Sequence, residues 1–258
     1  MGTVRAMIAF LGQYAIAYNA TMALHEIGHA VGVTLSGGKV SHISLNPFSW
    51  CWTGYSANPQ PMVAGWSGVV AGVLFALAPC VCMALFGRKP PRVLLLLGII
   101  GLAANGSYLL GGALARVGDG EYLMRLGVPR LLLVVVGVLL MFAAAAWFLL
   151  MQPRFGIPHS ASFAQRCGLL LGGIGSYLLL TVVYVVVFKR RDLPPIACFA
   201  GIGAVLIICA SILATLLGTF LAEHGADGVA DVPSWSYASA YAAVGLVVVL
   251  AELAAFGR

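Results

Sequence analysis

A His-Glu-x-x-His motif occupies the segment His25-Glu26-Ile27-Gly28-His29. On a helix, two histidines four residues apart lie on the same face, so His25 and His29 can bind one zinc ion together. Glu26 precedes His29 by three residues and lies beside such a metal rather than on it. From there its carboxylate can take a proton from a water molecule at the metal and return it to a leaving amine. The motif therefore predicts zinc-dependent hydrolysis with Glu26 as the general base.

A third zinc ligand is expected, because catalytic zinc commonly takes three protein ligands and leaves a fourth position for water. Asp119, in Gly118-Asp119-Gly120, follows the third long apolar stretch of the chain. In an alternating bundle, the C-terminal ends of the first and third membrane spans lie on the same side, which brings Asp119 toward His25. The flanking glycines allow the backbone to turn and the carboxylate to point inward. Asp119 is the predicted third ligand, and Glu121 of the same loop is the alternative.

The other polar residues in or beside the apolar stretches carry less specific signals. Asn105 precedes Asp119 by 14 positions, which is about 21 Å along a continuous helix. We therefore expect Asn105 to hydrogen-bond a neighbouring helix or a substrate carbonyl rather than to contact the metal. The isolated histidines His42, His159 and His224 are interpreted as solvated loop residues.

The composition identifies the environment in which this motif works. The 258 residues are 61% hydrophobic but only 9% charged, with a net charge of +6, whereas an ordinary soluble domain is about 25% charged. So few charges cannot cover a soluble globule of this size, which excludes a soluble domain, a disordered chain and a nucleic-acid binder. Three titratable residues on one turn of a membrane helix are costly unless a metal or water satisfies them. The chain is therefore predicted to be a polytopic membrane protein.

Seven apolar stretches are long enough to cross a bilayer, which takes about 20 helical residues. They are residues 6–35, 62–86, 92–117, 128–151, 166–188, 194–222 and 234–256. Because the last stretch is rich in small residues, six spans plus a surface helix is the alternative. The basic residues of the connections favour a cytoplasmic Lys39 and an external N-terminus. We expect an all-α polytopic membrane protein with about six to seven transmembrane helices, forming a single domain over residues 1–258.

The connection over residues 36–61 is too polar to span a membrane and too aromatic for a simple linker. Its first part places apolar residues at Val40, Ile43 and Leu45. After the turn-like pair Asn46-Pro47, the aromatic residues of segment 48–53 alternate strictly with small or polar ones. Alternation of this kind predicts a short, half-buried β-hairpin between the first and second spans. An interfacial loop with aromatic anchors is the alternative.

Three segments together resemble a known family. The motif His25–His29 followed by Ala30, the segment Gly37-Gly38-Lys39-Val40, and Gly118-Asp119-Gly120 are similar to those of the site-2 protease family of intramembrane zinc metallopeptidases. The likeness is greatest to the compact bacterial members and covers about the first half of the chain. The sequence departs from the family in one respect, since segment 113–117 lacks the Asn and Pro residues that usually precede the Asp-Gly pair.

The resemblance implies one zinc ion held by His25, His29 and Asp119, with Glu26 as the general base. The substrate would be a membrane protein or a membrane-anchored peptide, and no nucleic acid would be involved. The strands after the first span would lie near the active site and pair with an unwound substrate. The resemblance also implies a catalytic core of about residues 1–130, additional helices over 131–258, and a multi-pass location in the bacterial cytoplasmic membrane.

The alternative function is a non-catalytic membrane protein that binds a metal for transport or as a scaffold. Transporters usually distribute ionisable or interrupted-helix sites over several spans. In this chain the spans after Arg130 are almost empty of internal charge. That distribution favours the hydrolase.

Overall fold

The protein, described from a computed structural model, is mostly helical and contains one two-stranded antiparallel sheet. The structure describes residues 2–46, 51–87, 90–158, 161–170, 175, 179, 181–183, 186–187 and 233–256. The predicted span 194–222 lies outside these residues, as do His159, His224 and nearly half of the predicted span 166–188.

From α1 to α7 the described elements are joined by short connections. The helices are α1 (Gly2–Leu35), α2 (Pro61–Ala76), α3 (Ala78–Phe86), α4 (Arg92–Ala115), α5 (Gly118–Arg125), α6 (Arg130–Met151), α7 (Phe163–Leu170) and α8 (Trp235–Phe256). The strands β1 (Lys39–Ser44) and β2 (Trp52–Ala57) lie between α1 and α2, and a 3₁₀ turn, Gln152–Phe155, follows α6.

Glycine and proline set the helix boundaries. α1 ends before Gly37, whose φ of 80° is in the left-handed region that favours glycine. The amides of Gly37 and Gly38 donate to the carbonyls of Thr34 and Val33, so the last turn of α1 is capped. Four helices begin at or beside a proline, which lacks the N–H that a first turn leaves unpaired; these prolines are Pro61, Pro79, Pro91 and Pro129.

Within the described residues, four helical segments are long and apolar enough to cross a membrane: Pro61–Phe86, Arg92–Ala115, Arg130–Phe155 and Trp235–Glu252. The first contains α2 and α3, which are separated by a turn at Leu77. These segments correspond to four of the seven predicted spans. α1 coincides with the first predicted span but is less apolar than the other long helices. The predicted total of six to seven spans stays a prediction.

The long α1 helix lies inside the assembly, where it packs against α2, α4 and α8. Most of its polar residues face this interior, and His25, Glu26 and Asn19 are each less than 5% exposed. The outer faces of the other helices are apolar, with more than half of the side chain exposed at Leu74, Leu131, Leu139, Phe142 and Val247. A large apolar outer surface around buried polar groups is the arrangement expected of a membrane protein.

The predicted β-hairpin is confirmed, but its second strand starts later than expected. β2 begins at Trp52, opposite Ser44, and ends at Ala57, opposite Lys39. Because β1 starts directly after the cap of α1, the C-terminal end of β2 must lie beside that cap before the chain enters α2. A Cβ on Gly38 would lie 2.6 Å from the carbonyl oxygen of Ala57, so the two ends of the hairpin are in close contact there. Residues 47–50 lie outside the described part of the chain.

The structure also corrects the placement of His42. This residue lies in β1 rather than in a loop. It is exposed, as predicted, and its ring meets the Trp52 ring edge-on with the centroids 4.1 Å apart.

Candidate metal centre

The two histidines of the motif point into the same buried space. His25 and His29 are one turn apart on α1 and only 2% and 8% exposed. Their Nε2 atoms are 3.1 Å apart. Helical spacing alone explains why the side chains are neighbours. Packing against α2 and α4 explains why both are buried.

Asp119 completes the cluster from another part of the chain. Its Oδ2 atom lies 2.8 Å from Nε2 of His25 and 3.4 Å from Nε2 of His29. Beyond the end of α4 the backbone turns sharply, because Arg116 and Gly118 both adopt left-handed conformations with φ near +55°. This turn directs the first residues of α5 back toward α1.

Glu121, the alternative ligand, is oriented differently. Its carboxylate forms a salt bridge with Arg125, one helical turn later on α5. Glu121 lines the same cavity as the histidines, but it is not part of the three-residue cluster. The structure therefore brings Asp119, and not Glu121, together with His25 and His29.

Hydrogen bonds on the far side of each ring define the tautomers. Nδ1 of His29 lies 2.6 Å from the carbonyl oxygen of Ala64 on α2, and a carbonyl can only accept. Nδ1 of His25 lies 2.8 Å from Oδ1 of Asn105. The Asn105 amide nitrogen donates to the carbonyl of Gly101, so its oxygen faces His25. Each of these bonds uses the proton on Nδ1, so Nε2 is the atom through which each ring would bind a metal after losing any proton of its own.

Asn105 lies close to the site, although a continuous helix would separate it from Asp119 by about 21 Å. The chain turns back after α4 ends at Ala115, and Gly112 and Gly120 then pack closely enough that a Cβ on either would clash with the other's backbone. As a result, the His25 ring contacts Asn105 through one nitrogen and Asp119 through the other. The expected hydrogen bond to a neighbouring helix is confirmed.

The donor set fits zinc. Two neutral imidazoles and one carboxylate are a common ligand combination for a catalytic zinc site. Ligand bonds of about 2.0–2.1 Å in tetrahedral geometry place the donor atoms roughly 3.4 Å apart, and all three donor atoms here lie within 4.8 Å of one another. Burial acts to raise the pKa of the Asp119 carboxyl, but the neighbouring His29 and His25 lower it well below its usual range when they carry positive charge. Asp119 is ionised beside these rings, as a ligand must be, and a bound metal would take the place of the imidazole protons at Nε2.

Glu26 stands beside this cluster rather than in it. Its side chain is only 4% exposed, and it interacts electrostatically with His25, His29 and Asp119. The hydroxyl of Thr53 on β2 lies 2.7 Å from Oε2 of Glu26. The carboxylate is thus close to the ligands but held by a different partner, which is the arrangement expected of a general base.

A cavity of about 440 Å³ opens onto these residues. Such a volume is within the range of ordinary ligand-binding pockets. Its walls come from α1, the hairpin, α2, α4 and α5, with aromatic side chains at Trp52, Tyr55, Tyr108 and Tyr122. The Tyr108 ring stacks on the His25 ring with the centroids 5.1 Å apart. The cluster is therefore reached through this cavity.

Several residues of the site had no clear signal in the sequence. Thr53 belongs to a strand that the alternation pattern indicates, but nothing local relates it to Glu26. The Ala64 contact uses a backbone carbonyl, which any residue carries. Gly68 is a further example: a Cβ there would lie 2.3 Å from Nε2 of His29. Only Asn105 had a usable signal, because a buried amide within a predicted span must find a partner.

Within the described part of the chain, this cluster is the one group of three or more His, Cys, Asp and Glu side chains that could hold a metal. It joins residues 94 positions apart, so only the folded chain assembles it. Comparison of the chain with protein-family models, with curated proteins and with solved structures found no match.

Proposed function

We propose that the protein is an intramembrane zinc metalloprotease that hydrolyses a peptide bond of a membrane-embedded protein substrate. One observation carries this proposal. The Nε2 atoms of His25 and His29 converge with the Asp119 carboxylate, and the Glu26 carboxylate stands beside them in the same cavity. Ligands plus an adjacent, non-ligating acid are the requirements of metal-assisted hydrolysis.

The ligand set would be His25, His29 and Asp119. Bound zinc would supply Lewis-acid polarisation of the scissile carbonyl and would lower the pKa of a water molecule. The chain itself orients the ligands, because Asn105 and Ala64 hold the two imidazole rings at Nδ1. This arrangement keeps both Nε2 atoms directed toward the Asp119 carboxylate.

Glu26 would transfer a proton from the attacking water to the leaving amine. Its carboxylate takes a proton from the attacking water, and it then donates this proton to the nitrogen of the departing amine. The cavity delivers water and substrate to the carboxylate, and burial of the surrounding residues keeps the site shielded from bulk solvent. This proton transfer distinguishes a hydrolase from a protein that only binds a metal.

The hairpin would present the substrate. A two-stranded sheet has an outer edge on each strand, and an extended peptide can pair with such an edge through its backbone. A helical substrate must unwind before its scissile bond is accessible. Thr53 and Tyr55 of β2 line the cavity, so a segment that paired with the hairpin would lie beside the proposed metal.

Replacing Glu26 tests the mechanism. Purified wild-type protein in liposomes is analysed for zinc and incubated with a panel of peptides of about 25 residues, each an apolar membrane-spanning segment. We expect stoichiometric zinc and cleavage of at least one peptide. Glu26→Gln should retain zinc and lose cleavage by about 100-fold or more. Cleavage by Glu26→Gln at the wild-type rate would overturn the mechanism.

Replacing the ligands tests the zinc site. His25→Ala and Asp119→Ala should both lose zinc, while Glu121→Gln, the matched control from the same helix, should retain it. If Asp119→Ala kept its zinc and Glu121→Gln lost it, Glu121 rather than Asp119 would be the third ligand.

The second candidate function is metal binding without catalysis, for transport or as a scaffold. It would be favoured if wild-type protein bound zinc, cleaved no peptide of the panel, and behaved identically to Glu26→Gln. The non-ligating carboxylate beside the cluster speaks against this candidate, because a binding site has no evident use for a buried acid that does not bind the ion.

A further inference from the structure

The carboxylate of Glu26 is buried but supported by very few groups. Within the described residues, the hydroxyl of Thr53 is the only hydrogen-bond donor that reaches it. A glutamate side chain has three rotatable bonds, so an unsupported carboxylate in a cavity can adopt several orientations. A general base must instead lie within hydrogen-bond reach of the proton that it takes.

The geometry of this contact assigns a direction to the hydrogen bond. Oγ1 of Thr53 lies 2.7 Å from Oε2 of Glu26 and 3.0 Å from the backbone oxygen of the same residue. A threonine hydroxyl has one hydrogen, and the shorter contact to the carboxylate is the stronger because its acceptor is charged. Oε2 is therefore held, while Oε1 receives no hydrogen bond from the described residues and is left to accept a proton.

Thr53 is itself held in place by the hairpin. It pairs with Ile43 across the sheet, and its branched side chain has few accessible rotamers. Two positions further along β2, on the same face of the strand, Tyr55 lines the same cavity as Tyr122 of α5. Directly after β2, the side-chain amide of Asn58 donates to the Tyr122 hydroxyl. The strand thus connects Glu26 on α1 to the helix that carries Asp119.

We propose that Thr53 is a positioning residue for the base: its hydroxyl orients the Glu26 carboxylate toward the substrate from the hairpin strand that lines the cavity. This inference rests on the proposed proteolytic function. It assigns to β2 a role in catalysis that is separate from any pairing with the substrate. A strand displaced from α1 would release the carboxylate without disturbing the ligands.

The test compares two substitutions that differ in a single hydroxyl. Thr53→Val keeps the branched shape and the strand preference but removes the donor, whereas Thr53→Ser keeps the donor. Each variant is reconstituted in liposomes and assayed with a peptide from the panel that the wild-type protein cleaves. We expect kcat of Thr53→Val to fall about 10-fold or more, with KM and zinc content close to wild type. Thr53→Ser should restore most of the rate.

Thr34→Val is the matched control, because the Thr34 hydroxyl bonds a backbone carbonyl of its own helix, away from the site. This variant should cleave at the wild-type rate. The inference is overturned if Thr53→Val keeps the wild-type kcat, if Thr53→Ser is as slow as Thr53→Val, or if Thr53→Val loses zinc. A wild-type protein that cleaves nothing would contradict the proposed function instead, so the two failures are distinguishable.

Discussion

At the scale of single residues, the candidate centre depends on the partners of its ligands as much as on the ligands. His25 and His29 each use Nδ1 in a hydrogen bond inside the protein. That use leaves Nε2, the atom that faces Asp119, as the position through which each ring would bind a metal. One of the two partners, Ala64, contributes a backbone carbonyl and cannot be removed by substitution. The other, Asn105, is a side chain that can be tested.

Asn105→Ala should weaken zinc binding without unfolding the protein. The substitution removes the acceptor for the His25 proton and leaves the ring free to rotate or change tautomer. Loss of such an outer partner typically costs about 10–100-fold in metal affinity or activity. The measurement is zinc content at graded concentrations of a chelator.

Two control substitutions test whether the loss of zinc affinity is due to the hydrogen bond between Asn105 and His25. Asn105→Asp retains an acceptor and should bind zinc nearly as well as wild type. Ser107→Ala lies on the same helix, where the Ser107 hydroxyl bonds the backbone carbonyl of Ala104, and should have no effect. Equal zinc affinity of Asn105→Ala and wild type would show that packing alone orients His25.

At the scale of elements, glycines allow the helices to approach closely enough to build the site. Gly28 and Gly32 of α1 face Ala71 and Ser67 of α2, and a Cβ on either glycine would lie within 2.5 Å of those residues. Small residues spaced by four are a common basis for close helix packing in membranes. The same approach brings α2 next to the His29 ring, at Gly68.

Gly68→Ala should therefore disturb the centre directly. The added methyl group would lie 2.3 Å from Nε2 of His29, so either the ring or helix α2 must move. We expect zinc affinity to fall by about 10-fold or more, as for other disturbances of ligand orientation. Overpacking of this kind typically costs about 1–3 kcal/mol of stability. Zinc titration and thermal unfolding measure the two effects.

Gly168→Ala provides the comparison, because a Cβ at that position in α7 meets no atom of the described residues within 4 Å. Replacing a helical glycine by alanine usually stabilises by about 0.5–1 kcal/mol. Zinc binding by this variant should match the wild type. Zinc affinity of Gly68→Ala equal to that of the wild type would show that helix α2 moves to accept the methyl group and that its close packing does not orient His29.

At the scale of the whole molecule, the apolar segment Pro61–Phe86 should place the hairpin and the start of α4 on opposite sides of the membrane. Its 26 residues are about 39 Å long when helical, more than the roughly 30 Å hydrocarbon thickness of a bilayer. The basic residues of the connections favour the hairpin on the cytoplasmic side.

Single cysteines at two exposed positions test this topology in a chain whose six native cysteines are replaced. With a membrane-impermeant thiol reagent, Ser56→Cys in β2 should react in inverted vesicles only. Pro91→Cys, just before α4, should react in right-side-out vesicles only. Labelling of both positions from the same side would show that the intervening segment does not cross.

The sequence by itself determined the features that depend on local spacing and composition. The scarcity of charge indicated a membrane protein, and helical spacing placed His25 and His29 on one face because a helix has a fixed number of residues per turn. Alternation indicated a hairpin, although not the register that starts β2 at Trp52. Alternating topology brought Asp119 to the correct end of the bundle.

Only the tertiary structure decided which distant groups touch. The left-handed turn at Arg116 and Gly118 directs Asp119, rather than Glu121, at the histidines. It also leaves Asn105 and Asp119 on opposite sides of one imidazole ring, which no distance along a straight helix predicts. The contact between Thr53 and Glu26 depends on how the hairpin packs against α1. Such contacts arise from the packing of separate elements, whose relative positions are not encoded in any local pattern.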